Sequence, residues 1–81
     1  MREYNTVIDL AKDIKVKINE YNETEPSNKK VAYRDLQTYI KEILSIPKNR
    51  SLIYKGENTA VVFNKTLGKW RMKIWDEITK N

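Results

Sequence analysis

The chain has no cysteine and no histidine, and of its 81 residues only two are glycine and two are proline. Without cysteine there is neither a disulfide framework nor a thiolate metal site, and without histidine the commonest general base and metal ligand is missing. Two glycines, Gly56 and Gly68, make no glycine-rich phosphate loop and no nucleophile elbow. The longest run of strongly apolar residues covers 60–63, where a membrane span needs roughly twenty. Glu3, Asp9, Asp13 and Glu20 break up the N-terminal region, so no secretory leader is expected. Two acidic pairs remain as candidate chemistry. Asp9 and Asp13 stand at i, i+4 beside Lys12 and Lys15, the pattern of a solvated helix face, and Asp76 and Glu77 are sequence neighbours that point apart on a strand. The expectation is a cytoplasmic, non-enzymatic protein with no metal, no cofactor and no membrane contact.

What is present is charge. A third of the residues are charged and 40% are hydrophobic, with sixteen Lys and Arg against eleven Asp and Glu, a net charge of +5. At this length folding buries roughly 63% of the surface the unfolded chain exposes, enough for one modest core in a single domain over residues 1–81. Lysine outnumbers arginine twelve to four, and Asn and Ile are abundant. That bias fits an AT-rich coding genome, such as a bacterium or one of its mobile elements.

Over residues 3–21, Tyr4, Val7, Ile8, Ala11, Ile14, Ile18 and Tyr21 recur at three- and four-residue steps and predict a first helix, with Thr6 and Asp9 resembling a capping box and Asn5 an alternative cap. Residues 22–30 lack periodicity and contain Pro26, so they read as a loop. Val31, Tyr33, Leu36, Tyr39, Ile40, Ile43 and Leu44 predict a second helix over roughly 29–46, with Pro47 as its stop. The pattern then turns β-like: runs at 51–55 and 59–64 flank a link containing Gly56 and predict a hairpin. Trp70, Met72 and Ile74 alternate with Arg71, Lys73 and Trp75 as in a strand, while Leu67, Trp70, Ile74 and Ile78 also fit a helix capped by Thr66. The strand is favoured, because the preceding strand needs an edge partner. The expected fold is therefore α+β, in the order ααβββ, with two helices packed on a three-stranded antiparallel meander, the last element being a helix in the alternative. The expected core is Val7, Ile14, Ile18, Leu36, Ile40, Ile43, Val62, Trp70, Met72 and Ile74, and the five tyrosines, Tyr4, Tyr21, Tyr33, Tyr39 and Tyr54, read as rim residues with wet hydroxyls.

The charge is unevenly spread. Residues 1–40 hold seven basic and seven acidic side chains, whereas 48–73 hold seven basic side chains against Glu57 alone. Such a density on one surface releases counterions from a polyanion and binds nucleic acid in a salt-dependent way. In the strand reading Lys48, Arg50, Lys69, Arg71 and Lys73 contact phosphates, and Trp75, on the charged sheet face, stacks on a base. A winged-helix arrangement fits poorly, since 48–55 is short and β-like where a recognition helix belongs. The alternatives are a protein-binding modulator, for instance an inhibitor of a host enzyme with an acidic surface, and a homodimer pairing through an open strand edge.

Overall fold

A single buried polar side chain, Asn49, ties the start of the chain to its middle. The computed structural model describes residues 2–79, apart from the side chain of Ile78, and every regular element among them is helical. Five α-helices follow in order: α1 (Val7–Glu23), α2 (Lys29–Leu44), α3 (Pro47–Ile53), α4 (Glu57–Leu67) and α5 (Arg71–Thr79). Single 3-10 turns precede α2, at Pro26–Asn28, and α5, at Gly68–Trp70.

The first two helices form where the apolar stripes place them. Thr6, in an extended conformation, accepts the Asp9 N–H at 3.2 Å and starts α1, a cap worth about 1 kcal/mol. Beyond residue 46 the expected α+β fold is overturned: among the described residues there is no strand, and the meander over 51–55, 59–64 and 70–75 is replaced by α3, α4 and α5. Pro47 begins a helix rather than merely stopping one. Its missing N–H is one that the first helical turn leaves unpaired, while Ile46 before it is extended, as a residue preceding proline prefers. In α4 the β-branched run 61–62 suits a strand, yet Phe63 and Leu67 lie one helical turn apart and are 0% and 1% exposed, so burial decides the conformation. The residue read as a hairpin link, Gly56, has φ of +154° and stands at the N-cap of α4. Gly68, with φ of +56° and ψ of −124°, ends α4 in a backbone conformation that residues with a Cβ rarely adopt. The helical alternative for the last element is the one adopted, over Arg71–Thr79 rather than from a cap at Thr66. The side chain of Ile78 and Lys80 lie outside the described residues.

Helices α1 and α2 form an antiparallel hairpin, with Tyr21 near the end of α1 packed edge-on against Tyr33 near the start of α2, ring centres 5.8 Å apart. The pair α4 and α5 forms a second hairpin, in which the Trp75 indole N–H donates to Asn64 at 2.9 Å. The hairpins lie side by side so that α4 runs parallel to α1 and α5 parallel to α2: Lys73 reaches Tyr33, and farther along both helices Lys41 pairs with Glu77 at 3.9 Å. The short α3 closes the end at which α1 begins. The described residues extend 40 × 22 × 21 Å.

The core shows which expectations the helices keep. Val7, Ile14, Ile18, Leu36, Ile40, Ile43 and Ile74 are buried, and Val62 and Trp70 pack half-buried against them. Met72, assigned to the core as a strand residue, is 61% exposed, because on α5 it lies away from Ile74. Leu10, Leu44, Leu52, Ile53, Phe63 and Leu67 complete the interior.

Tyr4, expected at the rim, is 2% exposed, and its hydroxyl donates to Asp13 Oδ2 at 2.7 Å, where the Arg2 guanidinium also bonds at 2.8 Å. Its backbone N–H donates to Asn49 Oδ1 at 2.8 Å, while Asn49 Nδ2 donates to the carbonyls of Arg2 and Ile43, both at 3.0 Å. Asn49 is fully buried with this set of partners. Asn49→Ala leaves the buried Tyr4 N–H unpaired, takes a donor from the carbonyls of Arg2 and Ile43 and opens a cavity, and is expected to destabilise the fold by about 2–4 kcal/mol. Thermal unfolding followed by circular dichroism should show a Tm lower by about 10–20 °C, whereas Asn19→Ala on the exposed face of α1 should leave it nearly unchanged.

Burial first, then the hydrogen bond to Asp13 and the neighbouring Tyr39, push the Tyr4 phenol well above its ordinary value of 10. A raised phenol pKa means that the folded protein keeps a proton the unfolded chain has released. This stabilisation is complete below pH 10 and is lost as pH rises through the folded value. Tyr4→Phe is therefore expected to flatten the alkaline fall in stability by up to about 1.4 kcal/mol per pH unit. Urea unfolding at pH 9 and above checks it.

Candidate nucleic-acid interface

The residues expected to bind phosphates do not converge. Lys48, exposed in the first turn of α3, donates to Asn5 Oδ1 at 3.0 Å, and Arg50 is half-buried on the same helix. Both belong to the end of the bundle where α1 starts. Lys69, in the 3-10 turn, and Lys73, in the first turn of α5, lie at the opposite end, beside the second half of α1. With a rise of about 1.5 Å per residue, Asn5 and Asn22 are separated by about 25 Å, so the basic segment 48–73 is divided between two ends. Arg71 is exposed at the first position of α5.

Trp75 is not on an outer charged face, because there is no sheet to provide one. It is half-buried against Phe63 and Tyr54, with ring centres 5.3 and 6.1 Å away, and its N–H is held by Asn64. Nor is there a strand edge among the described residues through which two copies could pair.

At the Lys69 end a groove of about 650 Å³ opens between α1, the end of α4 and the start of α5, lined by Lys15, Ile18, Asn22, Leu67 to Trp70 and Lys73. No acidic residue lines it. Lys15 was missed because counting places it in the neutral half of the sequence. Its signal is its helical register: it follows Ile8 by seven and precedes Asn22 by seven, so the three share one line on α1. The turn at Gly68 brings Lys69 to the same groove. Neither Lys15 nor Lys69 is in an ion pair among the described residues, and both ammonium groups remain available to an anion.

Beside the groove is an aromatic cluster. Trp70 meets Tyr21 edge-on, with centres 5.5 Å apart and planes at 83°, and Tyr33 at 6.4 Å. Lys73 Nζ stands 5.1 Å from the Trp70 ring centre and 5.2 Å from that of Tyr33, contacts each worth about 0.5–1 kcal/mol on an exposed surface. Lys29 lies over Tyr21 at 4.2 Å and donates to the carbonyls of Tyr21 and Asn22, a cation on the negative end of α1. Of the rim tyrosines, Tyr21 and Tyr33 thus pack against Trp70, the aromatic residue that lines the groove.

The acidic pair on α1 is not a metal site in its geometry, since the Asp13 carboxylate is engaged by Arg2 and Tyr4, and no cluster of three metal-binding side chains occurs among the described residues. Among the described residues, too, no helix is long and apolar enough to cross a membrane. This chain matches no protein-family model, no curated protein and no solved structure.

Proposed function

We propose that this protein is a small, non-enzymatic nucleic-acid-binding accessory or regulatory protein that holds phosphates at the Lys15–Lys69–Lys73 groove. One observation carries the reading: three lysines from three separate segments line a groove that no acidic residue enters. Lysine is a compact point charge with three donors, suited to phosphate oxygens from many directions and poorly suited to reading a base edge. Sequence-independent binding of the polyanion backbone is the corresponding activity.

Trp70 is the aromatic residue in this groove, and it takes the place that Trp75 was expected to have. One face already carries Lys73, so the indole serves first to hold that lysine in position. A phosphate offers Lys73 a charge-assisted bond of about 1.5–3 kcal/mol, against about 1–2 kcal/mol for the two ring contacts it would give up.

The expected behaviour is micromolar binding to labelled oligonucleotides that weakens steeply between about 50 and 200 mM salt. Lys15→Gln combined with Lys69→Gln should weaken binding to every sequence alike and flatten the slope of log K against log salt by about 1.4–1.8, as two phosphate contacts are lost. Arg34→Gln, at an exposed position of α2, should change neither. Fluorescence anisotropy measures both, and an unchanged slope in the double variant overturns the assignment.

A further inference from the structure

The lysine groove is one of two hollows between the parallel helices α1 and α4. The second, at the other end, is lined by residues 5–8 and by Leu52, Lys55, Asn58, Thr59 and Val62, and it too contains no acidic residue. Ile8 is 49% exposed there. The line Ile8, Lys15, Asn22 runs from one hollow to the other over about 21 Å of α1. On α4, Asn58, Thr59 and Val62 line the second hollow, and Leu67 at the end of the helix leads to Lys69 in the first. The four acidic residues of α1, Asp9, Asp13, Glu20 and Glu23, lie about 100–160° round the helix from that line. Glu20 and Lys17 accordingly line the cleft between α1 and α2 instead.

We infer that the two hollows are the ends of one furrow, and that its occupant is a single nucleic-acid strand lying along α1 and α4. This rests on the nucleic-acid reading above and adds the form of the ligand. The furrow has lysines at both ends, Lys55 at one and Lys15, Lys69 and Lys73 at the other, with amides from Asn58 and Asn22 and apolar surface from Ile8 and Val62 at one end. That combination serves a strand presenting phosphates and unstacked bases together. A duplex keeps its bases stacked inside and offers the apolar end nothing to bury. A stacked duplex spaces its phosphates about 3.4 Å apart along each strand and an unstacked strand spaces them farther, so about 21 Å holds at most about six nucleotides.

The test is anisotropy with labelled oligothymidylates of about three to twelve nucleotides and with a hairpin duplex of similar charge, at about 50 mM salt. Affinity is expected to rise steeply up to about six nucleotides and only slowly beyond, with the single strand favoured over the duplex by about tenfold. Ile8→Asp, at an exposed position remote from Lys69, should weaken the long oligonucleotides by about tenfold or more and leave the trinucleotide nearly unaffected, with the helical circular dichroism unchanged. Equal or tighter duplex binding overturns the inference and leaves the nucleic-acid function standing, as does an Ile8→Asp variant that binds like the parent while Lys15→Gln with Lys69→Gln does not. If neither nucleic acid binds but polyglutamate does, with the same dependence on Lys15 and Lys69, both the function and the inference fall, and the furrow belongs to an acidic protein partner.

Discussion

Asn49 contributes one acceptor and two donors at a point where three segments meet, and the placement of α1 depends on all three bonds. A fully buried amide is costly unless satisfied, so the site tolerates only the arrangement in which the N-terminal residues, the end of α2 and the start of α3 are together. That fixes where α1 begins. Because α1 is one continuous helix packed along α4, fixing its start also fixes the register of Lys15 and Asn22 two to four turns away. Polar specificity at one end of the bundle therefore positions charge at the other, with the apolar contacts of Ile14, Ile18, Phe63 and Leu67 between them.

At the opposite end the equivalent work is done by aromatic rings and lysines. Tyr21, Tyr33 and Trp70 join α1, α2 and the turn before α5, and Lys29 and Lys73 cover their faces. These are surface contacts of modest strength, each replaceable by a better ligand for the ammonium group. The two ends differ accordingly: the Asn49 end is buried and satisfied, while the lysine end is partly exposed and holds Lys15 and Lys69 outside any ion pair among the described residues. A small domain needs the first to stay folded. The second is where exchange with a polyanion costs least.

The two N-terminal helices were legible because their apolar residues repeat at helical steps over four turns, a length that strand alternation does not imitate. The C-terminal half was not, for a reason that can be located. Val61, Val62 and Phe63 are β-formers in a row, and the run 70–75 alternates polar and apolar residues as readily as it repeats at three and four. The helical alternative places Leu67 and Ile74 inside and Met72 outside, the arrangement adopted, and α4 and α5 then complete the cover over α1 and α2. Pro47 misled in the same region, because the residue that ends one helix serves equally well as the first residue of the next.

The candidate site was half legible, and the missing half follows from the same misreading. Summing charge along the chain isolates 48–73 and dismisses 1–40 as neutral, but charge acts through space, where Lys48 and Lys69 stand at opposite ends of the bundle. With three lysines against four carboxylates, α1 is divided by register: its lysine-and-amide line borders α4, and Glu20 lines the cleft toward α2. A helix with a net charge of −1 thereby supplies one wall of a groove that is basic on both sides. Lys15 lines the groove on this ground, while Lys48 and Arg50, which the linear pattern ranks above it, stand at the other end of the bundle.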